Sequence, residues 1–517
     1  MQTLLFRCRL ANGLHARPAS ALEQQTARFA ATVTLINLTK SRRASAKSVL
    51  AMVGADVAPG DECQLQIEGE DEQQALLALR HFIENEFEHS DGPLAGGSAG
   101  GEQLLPVFLS RSRSKIWQGT GVRKGIAIAK AVYLQHTELD ELARQQEETP
   151  PDVQQRQLGK ALEDARRQLR ADIARHDGEA AQILDAQSQL LEDETVEECL
   201  LGQSGTPNAI AALARAVDAL REPFRQSGSD YLRQRELDVY DLGLRLACQL
   251  TGEARMWLPE LNEGSILVCR SLLTPGQLLL LRGANLRGIV MPKGGETSHT
   301  AILAGVFAIP LLCPDSTGEL FAQPAGELLL AADCGLLLSD PDEVARRWFQ
   351  LEDEKQRRLP TASGDEPEGD MLSESLVLLN ESLRDKHEVI KRLTDNLDVQ
   401  GRVVSATLAE HSIWQREEVF TTALGFSIAI PHCKSAAITR SSISVLRLTE
   451  PLEWGNGVAV KLVIMLTLSE GEGQQHMRIF SVLARRLMHE SFRERLMAAG
   501  SPREMLNLLR DEVMISS

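Results

Sequence analysis

Three histidines of this chain stand where the backbone passes from a turn into a regular element, or out of a strand: His15 in ANGLHARPASAL, His299 in MPKGGETSHTAILAG and His432 in FSIAIPHCKS. An imidazole at a helix start lies beside backbone N–H groups that lack intrahelical partners, at the positive end of the helix dipole. A negatively charged group carried on that ring is held well there. Gly13 permits a tight turn before His15, and Pro18 fits the first helical turn, where its missing N–H costs nothing. Arg17 adds a cation. Before His299, Gly294 and Gly295 turn the chain, while Thr297 and Ser298 are residue types that cap helices. His432 follows the strand-like SIAI, with Arg416 sixteen residues upstream as a fixed cation and His476 at the start of a later helix. Taken one at a time, each of these histidines also reads as an ordinary surface or loop residue, and Arg416 also reads as a partner of Glu417 or Glu418.

These side chains need rigid frames, and the pattern of the chain supplies three. Residues 1–90 alternate strand-like runs (TLLFRCRL, ATVTLINL, ECQLQIEG) with helical runs, which predicts an open-faced α/β sandwich. Residues 91–114 contain the Gly-rich DGPLAGGSAGGEQ and read as a flexible linker. Residues 115–351 open with GTGVRKGIAIAKAVYL, carry a helical block over about 139–252 and return to strands such as GSILVCR and LRGIVMP. That order predicts an α/β body with a helical insertion. Residues 352–370 are charged, Pro/Gly-punctuated and linker-like, and residues 371–517 form a third α/β unit. The expected fold class is multidomain α/β.

Composition narrows the chemistry. A formal charge of −17 over 517 residues disfavours nucleic acid and anionic membrane surfaces, which require clustered Lys and Arg. Eight cysteines without a CxxC pair suggest neither a zinc knuckle nor a disulfide framework, and no bound metal is expected. No apolar run is long enough to serve as a signal peptide or to span a bilayer, so a cytoplasmic location is expected.

The motif LHARPAS resembles the active site of HPr, the phosphocarrier of the bacterial sugar phosphotransferase system, over roughly residues 1–90. GGETSHTAI resembles the phosphohistidine signature of enzyme I, and GTGVRKGIAIAKA resembles the opening of that enzyme's N-terminal half. REEVFTTALGFSIAIPHCKS resembles the enzyme IIA domain of the fructose and mannitol class. Together they resemble the multiphosphoryl transfer proteins of the fructose type. The resemblance implies that His15, His299 and His432 carry phosphoryl groups as catalytic residues. Arg17, Thr297, Arg416 and His476 would then stabilise the phosphate. It also implies a relay toward the IIB and IIC components of a sugar permease, and an acidic docking surface for HPr at EDETVEE, residues 192–198, which otherwise reads as a solvated helix face. Ser48 matches a regulatory serine position of some HPr proteins, and equally reads as a helix cap.

The chain departs from the family at two places. A complete enzyme I has a (β/α)8 barrel that binds phosphoenolpyruvate and Mg²⁺ and needs roughly 250 residues. Only about twenty residues separate LSDPDEVARRWFQ from MLSESLVLL. The expectation is therefore no cofactor held by the chain itself, and phosphate supplied by a complete enzyme I, or another phosphoenolpyruvate-binding domain, in trans. Gly305 stands where the family usually has arginine, and Glu296 adds negative charge near His299. A regulatory phosphoprotein and an internally deleted relic, unable to use phosphoenolpyruvate unaided, are the alternative readings.

Overall fold

A computed structural model describes residues 1–10, 13–14, 16–90, 104–226, 230–295, 298–316, 318–322, 324–358, 371–470 and 481–513. The chain forms two compact units, Met1–Gly100 with Ile116–Asp340, and Gly101–Lys115 with Pro341–Ser517.

The first unit opens with β1 (Gln2–Arg7), α1 (Ala16–Thr26), β2 (Thr32–Asn37), β3 (Arg42–Ser45), α2 (Val49–Gly54), β4 (Glu62–Glu68) and α3 (Glu72–Asn85). The strands pair antiparallel in the order β1-β4-β2-β3. Alternation places Cys63, Leu65 and Ile67 on the covered face of β4, with intervening residues turned outward. Gly13 has φ +72°, and a Cβ there would come within 2.3 Å of the Val57 carbonyl oxygen, so only glycine fits the turn before α1.

The chain continues in the same unit through β5 (Lys115–Arg123), β6 (Ile126–Leu134), α4 (Leu139–Arg144), α5 (Pro151–Ile173), α6 (Gly178–Glu192), α7 (Glu194–Leu201), α8 (Ala209–Arg225) and α9 (Asp230–Thr251). It then runs through β7 (Ser265–Cys269), α10 (Pro275–Leu280), β8 (Leu286–Val290), α11 (His299–Val306), β9 (Leu311–Pro314), α12 (Gly318–Ala322), β10 (Glu327–Ala331) and β11 (Leu336–Ser339). The strands close into a barrel in the order β10-β11-β5-β9-β8-β7-β6. The helical insertion expected over 139–252 is α4 to α9.

One apolar core runs from the first sheet into this insertion, joining Leu22, Met52 and Leu79 to Leu162, Leu213 and Ala216. The first two expected domains thus pack as one unit.

The second unit contains α13 (Glu343–Arg358), β12 (Val377–Glu381), α14 (Lys386–Val399), α15 (Ala406–Val419), β13 (Ala423–Gly425), β14 (Ile428–Ala429), β15 (His432–Ser435), β16 (Ser442–Gly455) and β17 (Val458–Ser469). Its sheet runs β12-β16-β17-β14-β13, with β15 paired to β17. Helices Glu490–Ala498 and Pro502–Val513 bury Phe492, Leu496, Met505 and Leu509 in a core shared with Ile443, Val445 and Ile464.

Two linker boundaries shift. Residues 104–114, expected within a linker, are ordered against the second unit: Phe108 and Leu109 are buried, and Arg111 pairs with Asp385 at 2.7 Å. Helix α13, expected to close the second domain and to end before residue 352, instead packs on α14. Arg347 grips Glu388 in a two-pronged ion pair at 2.7 and 2.8 Å, while Lys391 bonds Glu352 and lies 2.9 Å from Asp395. The remainder of the two expected linkers, residues 91–103 and 359–370, lies outside the described residues.

Candidate functional site

The C-terminal site is assembled by two elements. His432 opens β15, and β17 fixes it by parallel pairing of His432 with Leu466. Its Nδ1 lies 3.0 Å from the Ile430 carbonyl oxygen, an acceptor only, so Nδ1 carries the proton. The lone pair is then on Nε2. There Arg416, in the last turn of α15, donates its Nε–H across 3.1 Å, and its Nη1 holds the Phe420 carbonyl at the same distance.

Glu417 does not compete for that arginine. Its buried carboxylate accepts from Trp454 Nε1 at 3.0 Å, from the Thr422 backbone and hydroxyl, and from Lys386. This network pins the end of α15 and so aims Arg416. Neither Glu417 nor Glu418 pairs with Arg416, which removes the reading of it as a surface ion-pair partner. Burial pushes the neighbouring Cys433 thiol up to about 12, leaving it protonated and inert.

His299 is the first residue of α11, and Ser298 caps that helix by accepting the Ala301 N–H at 3.2 Å. Asp238 on α9 faces the ring, with Oδ1 3.1 Å from Nδ1. A carboxylate accepts, so Nδ1 is again protonated and Nε2 carries the lone pair. The His299 side chain is only 13% exposed and that of Asp238 6%, so the ring is more covered than a carrier on an open loop would be.

Arg123, from the segment GTGVRKG, donates to the Ala301 carbonyl at 2.6 Å, and a Cβ on Gly305 would lie 3.1 Å from its Nε. The arginine that the family places at position 305 is thus absent from α11, but a guanidinium from β5 occupies the space beside it. Sequence patterns alone had pointed to neither Asp238 nor Arg123. The spacing of Asp238, Asp241 and Arg245, three polar residues on one face of α9, was a signal for the former.

The acidic segment 192–198 meets the first sheet domain. Ser48 caps α2 by accepting the Ala51 N–H at 3.0 Å, and its hydroxyl donates to Asp193 Oδ2 at 2.9 Å and lies 2.9 Å from the Thr195 hydroxyl. Asp193 in turn caps α7 by accepting the Thr195 N–H. Helix α2 also rests on α8, where Gly54 faces Pro223. His15, Thr297, Glu296, His476 and the side chain of Arg17 lie outside the described residues. Among the described residues no three His, Cys, Asp or Glu side chains converge as a metal site, and no helix is long and apolar enough to cross a membrane.

The fold and the two described sites define a multidomain α/β protein that presents backbone- or carboxylate-oriented imidazoles at element ends. Four family models match it in order: the PTS HPr component phosphorylation site over 5–85, the PEP-utilising enzyme N-terminal region over 118–235, the PEP-utilising enzyme mobile domain over 261–320, and the sugar phosphotransferase EIIA 2 domain over 370–512. Multiphosphoryl transfer protein 2 of Escherichia coli K12 is 33% identical over 349 residues, covering 67% of this chain and 42% of that protein. The fructose-specific EIIA component of Haloferax volcanii is 32% identical over 140 residues, 27% of this chain and 91% of that protein. The crystal structure of IIA mannitol from Escherichia coli aligns with 27% of this chain and 98% of its own at 26% identity, with a TM-score of 0.24. The chain belongs to the sugar phosphotransferase-system family, joining HPr, enzyme I N-terminal and fructose-type EIIA domains. It spans less than half the length of the multiphosphoryl transfer relative that it matches.

Proposed function

We propose that the chain is a phosphohistidine relay that passes phosphoryl groups from His299 to His15 and from there to His432, for delivery to the IIB component of a fructose-class permease. The observation that carries this reading is the Arg416–His432 pair. The Nε2 lone pair attacks phosphorus in line; the N–P bond to His432 forms as the donor imidazole leaves with the electron pair of the old N–P bond. Nδ1–H stays on the Ile430 carbonyl, which eases the positive charge that builds on the ring. Arg416 turns its N–H groups from Nε2 to the equatorial phosphate oxygens as they arrive.

At His299 the Asp238 carboxylate serves as the Ile430 carbonyl does at His432. Docking of α2 on the acidic 192–198 segment supports His15 as the acceptor from His299, with Arg17 and Thr297 holding phosphate at these two sites and His476 at His432. The relay needs no metal of its own in this reading; Mg²⁺ and phosphoenolpyruvate act at a complete enzyme I, and the protein works in the cytoplasm.

The test is to incubate the purified 517-residue chain with phosphoenolpyruvate and Mg²⁺, with and without a complete enzyme I, and to map acid-labile phosphate. Label is expected only with enzyme I, entering at His299 and passing to His15 and then to His432, and His15→Ala should abolish label at His432. Normal labelling of His432 in that variant would overturn the order.

A further inference from the structure

The hydrogen bond between Arg416 and His432 does not outlast the reaction it serves. Once Nε2 is bonded to phosphorus its lone pair is spent, and the Arg416 N–H that it accepted across 3.1 Å has no acceptor left on the ring. From that moment α15 and β15 must be held in register by groups away from the reacting atoms. Strand β15 is four residues long and is fixed in the sheet by β17. Glu417 ties the end of α15 to Trp454 and Thr422. Neither tie joins α15 to β15.

Ser412 and Ser435 do. The Ser412 hydroxyl donates to Ser435 Oγ across 2.9 Å. Ser412 stands one turn before Arg416 on the same face of α15, and Ser435 closes β15 three residues after His432. The serine pair and the Arg416–His432 pair are thus two rungs between one helix and one strand. Backbone contacts orient both serines: the Leu408 carbonyl lies 3.0 Å from Ser412 Oγ, and Ser435 Oγ accepts the Ala437 N–H at 3.1 Å. Ile413 and Cys433, the neighbours of Ser412 and His432, share an apolar core. Apolar burial is non-directional, so it holds the two elements together without fixing their register.

We infer that Ser412 and Ser435 are positioning residues for phosphoryl transfer at His432, their hydrogen bond keeping Arg416 at the phosphate oxygens after it has released Nε2. The role rests on His432 being a phosphoryl carrier, as proposed above. A displacement of about 1 Å in such a site costs up to about 100-fold in rate, so a rung that survives phosphorylation bears directly on transfer.

The experiment follows rapid-quench transfer into His432 of the full chain from two donors, a phosphorylated HPr domain and phosphoramidate, whose P–N bond breaks as ammonia leaves. Ser412→Ala and Ser435→Ala should each lower the maximal rate by about tenfold with the half-saturating donor concentration unchanged, and the double variant should lose no more than either alone. On an Arg416→Ala background Ser435→Ala should cost less than about twofold, because the pair acts through that arginine, whereas a merely structural role would cost the same on both backgrounds. Single variants within about threefold of the parent, or an undiminished loss on the Arg416→Ala background, would overturn the pair. A parent chain labelled at His432 by phosphoramidate but not by the HPr domain would overturn the relay, and the phosphoramidate rates of the variants would then decide the pair. No label at His432 from either donor would overturn both.

Discussion

The Nε–H of Arg416 points at Nε2 of His432 across 3.1 Å, while Nδ1 of the same ring is held by the Ile430 carbonyl at 3.0 Å. One contact selects the tautomer, and the other places a cation at the nitrogen left with the lone pair. Arg416→Ala should therefore slow phosphoryl passage through His432 by about 30- to 1000-fold, the loss expected for a transition-state contact of about 2 to 4 kcal/mol. Lysine should rescue poorly, because it lacks the planar fork. Rapid-quench transfer from a phosphorylated HPr domain measures the step, and a change under about threefold would remove Arg416 from the site.

Asp238 fixes His299 from the opposite wall, 61 residues away in sequence. Asp238→Asn can present an N–H to Nδ1 and so stabilise the wrong tautomer. Label entering His299 from complete enzyme I should slow by about 10- to 1000-fold, with circular dichroism unchanged. Faster labelling would show instead that Asp238 only restrains the ring.

Ser48 donates to Asp193 in a buried contact between α2 and the segment 192–198. A carboxylate at position 48 would face Asp193 with like charge. Ser48→Glu should therefore undock the first sheet domain from the helical insertion, raise amide exchange in α2, and slow His299-to-His15 transfer by about tenfold or more. Ser48→Ala, which loses the hydroxyl but adds no charge, should have a smaller effect. Equal exchange in Ser48→Glu and the parent chain would contradict this.

Burial pushes the Glu410 carboxyl up to about 7, against the opposing pull of Lys391, and burial raises Asp395 to about 6. Between the ordinary carboxylate range and pH 7 the folded chain holds a proton at Glu410 that the unfolded chain has lost. Stability is therefore fully present below about pH 4 and falls as pH rises through about 7, by on the order of 2 kcal/mol for Glu410 alone. Urea unfolding of the second unit, followed by fluorescence of Trp348, Trp414 and Trp454, should show this decline between pH 5 and pH 8. Glu410→Gln should flatten it, leaving the smaller slope from Asp395, and an equal slope in the variant would place the titration elsewhere.

Local signals indicate element ends where those signals are strong. Ser298 caps α11, because caps act over a few residues, whereas His432, expected at a strand end before a turn, instead opens β15 after the strand Ile428–Ala429 has ended.

Helix α13 shows where such signals fail. The charged residues of EDEKQRR read as solvent-facing, yet Glu352 is buried against Lys391 and Asp395 of α14 in a mutually neutralising cluster. A buried ion-pair network has the same residue pattern as a solvated surface, and only the partner element tells them apart.

The sequence by itself determined the three histidine motifs, the order of the α/β segments and the helical insertion. Tertiary structure alone decided that Asp238 meets His299, that Arg123 lies beside Gly305, and that Ser48 meets Asp193 across 145 residues. Residues so far apart in the chain are brought together by the burial of apolar faces, which specifies a packing and not a pair of residue types, so nothing local announces which polar groups will meet.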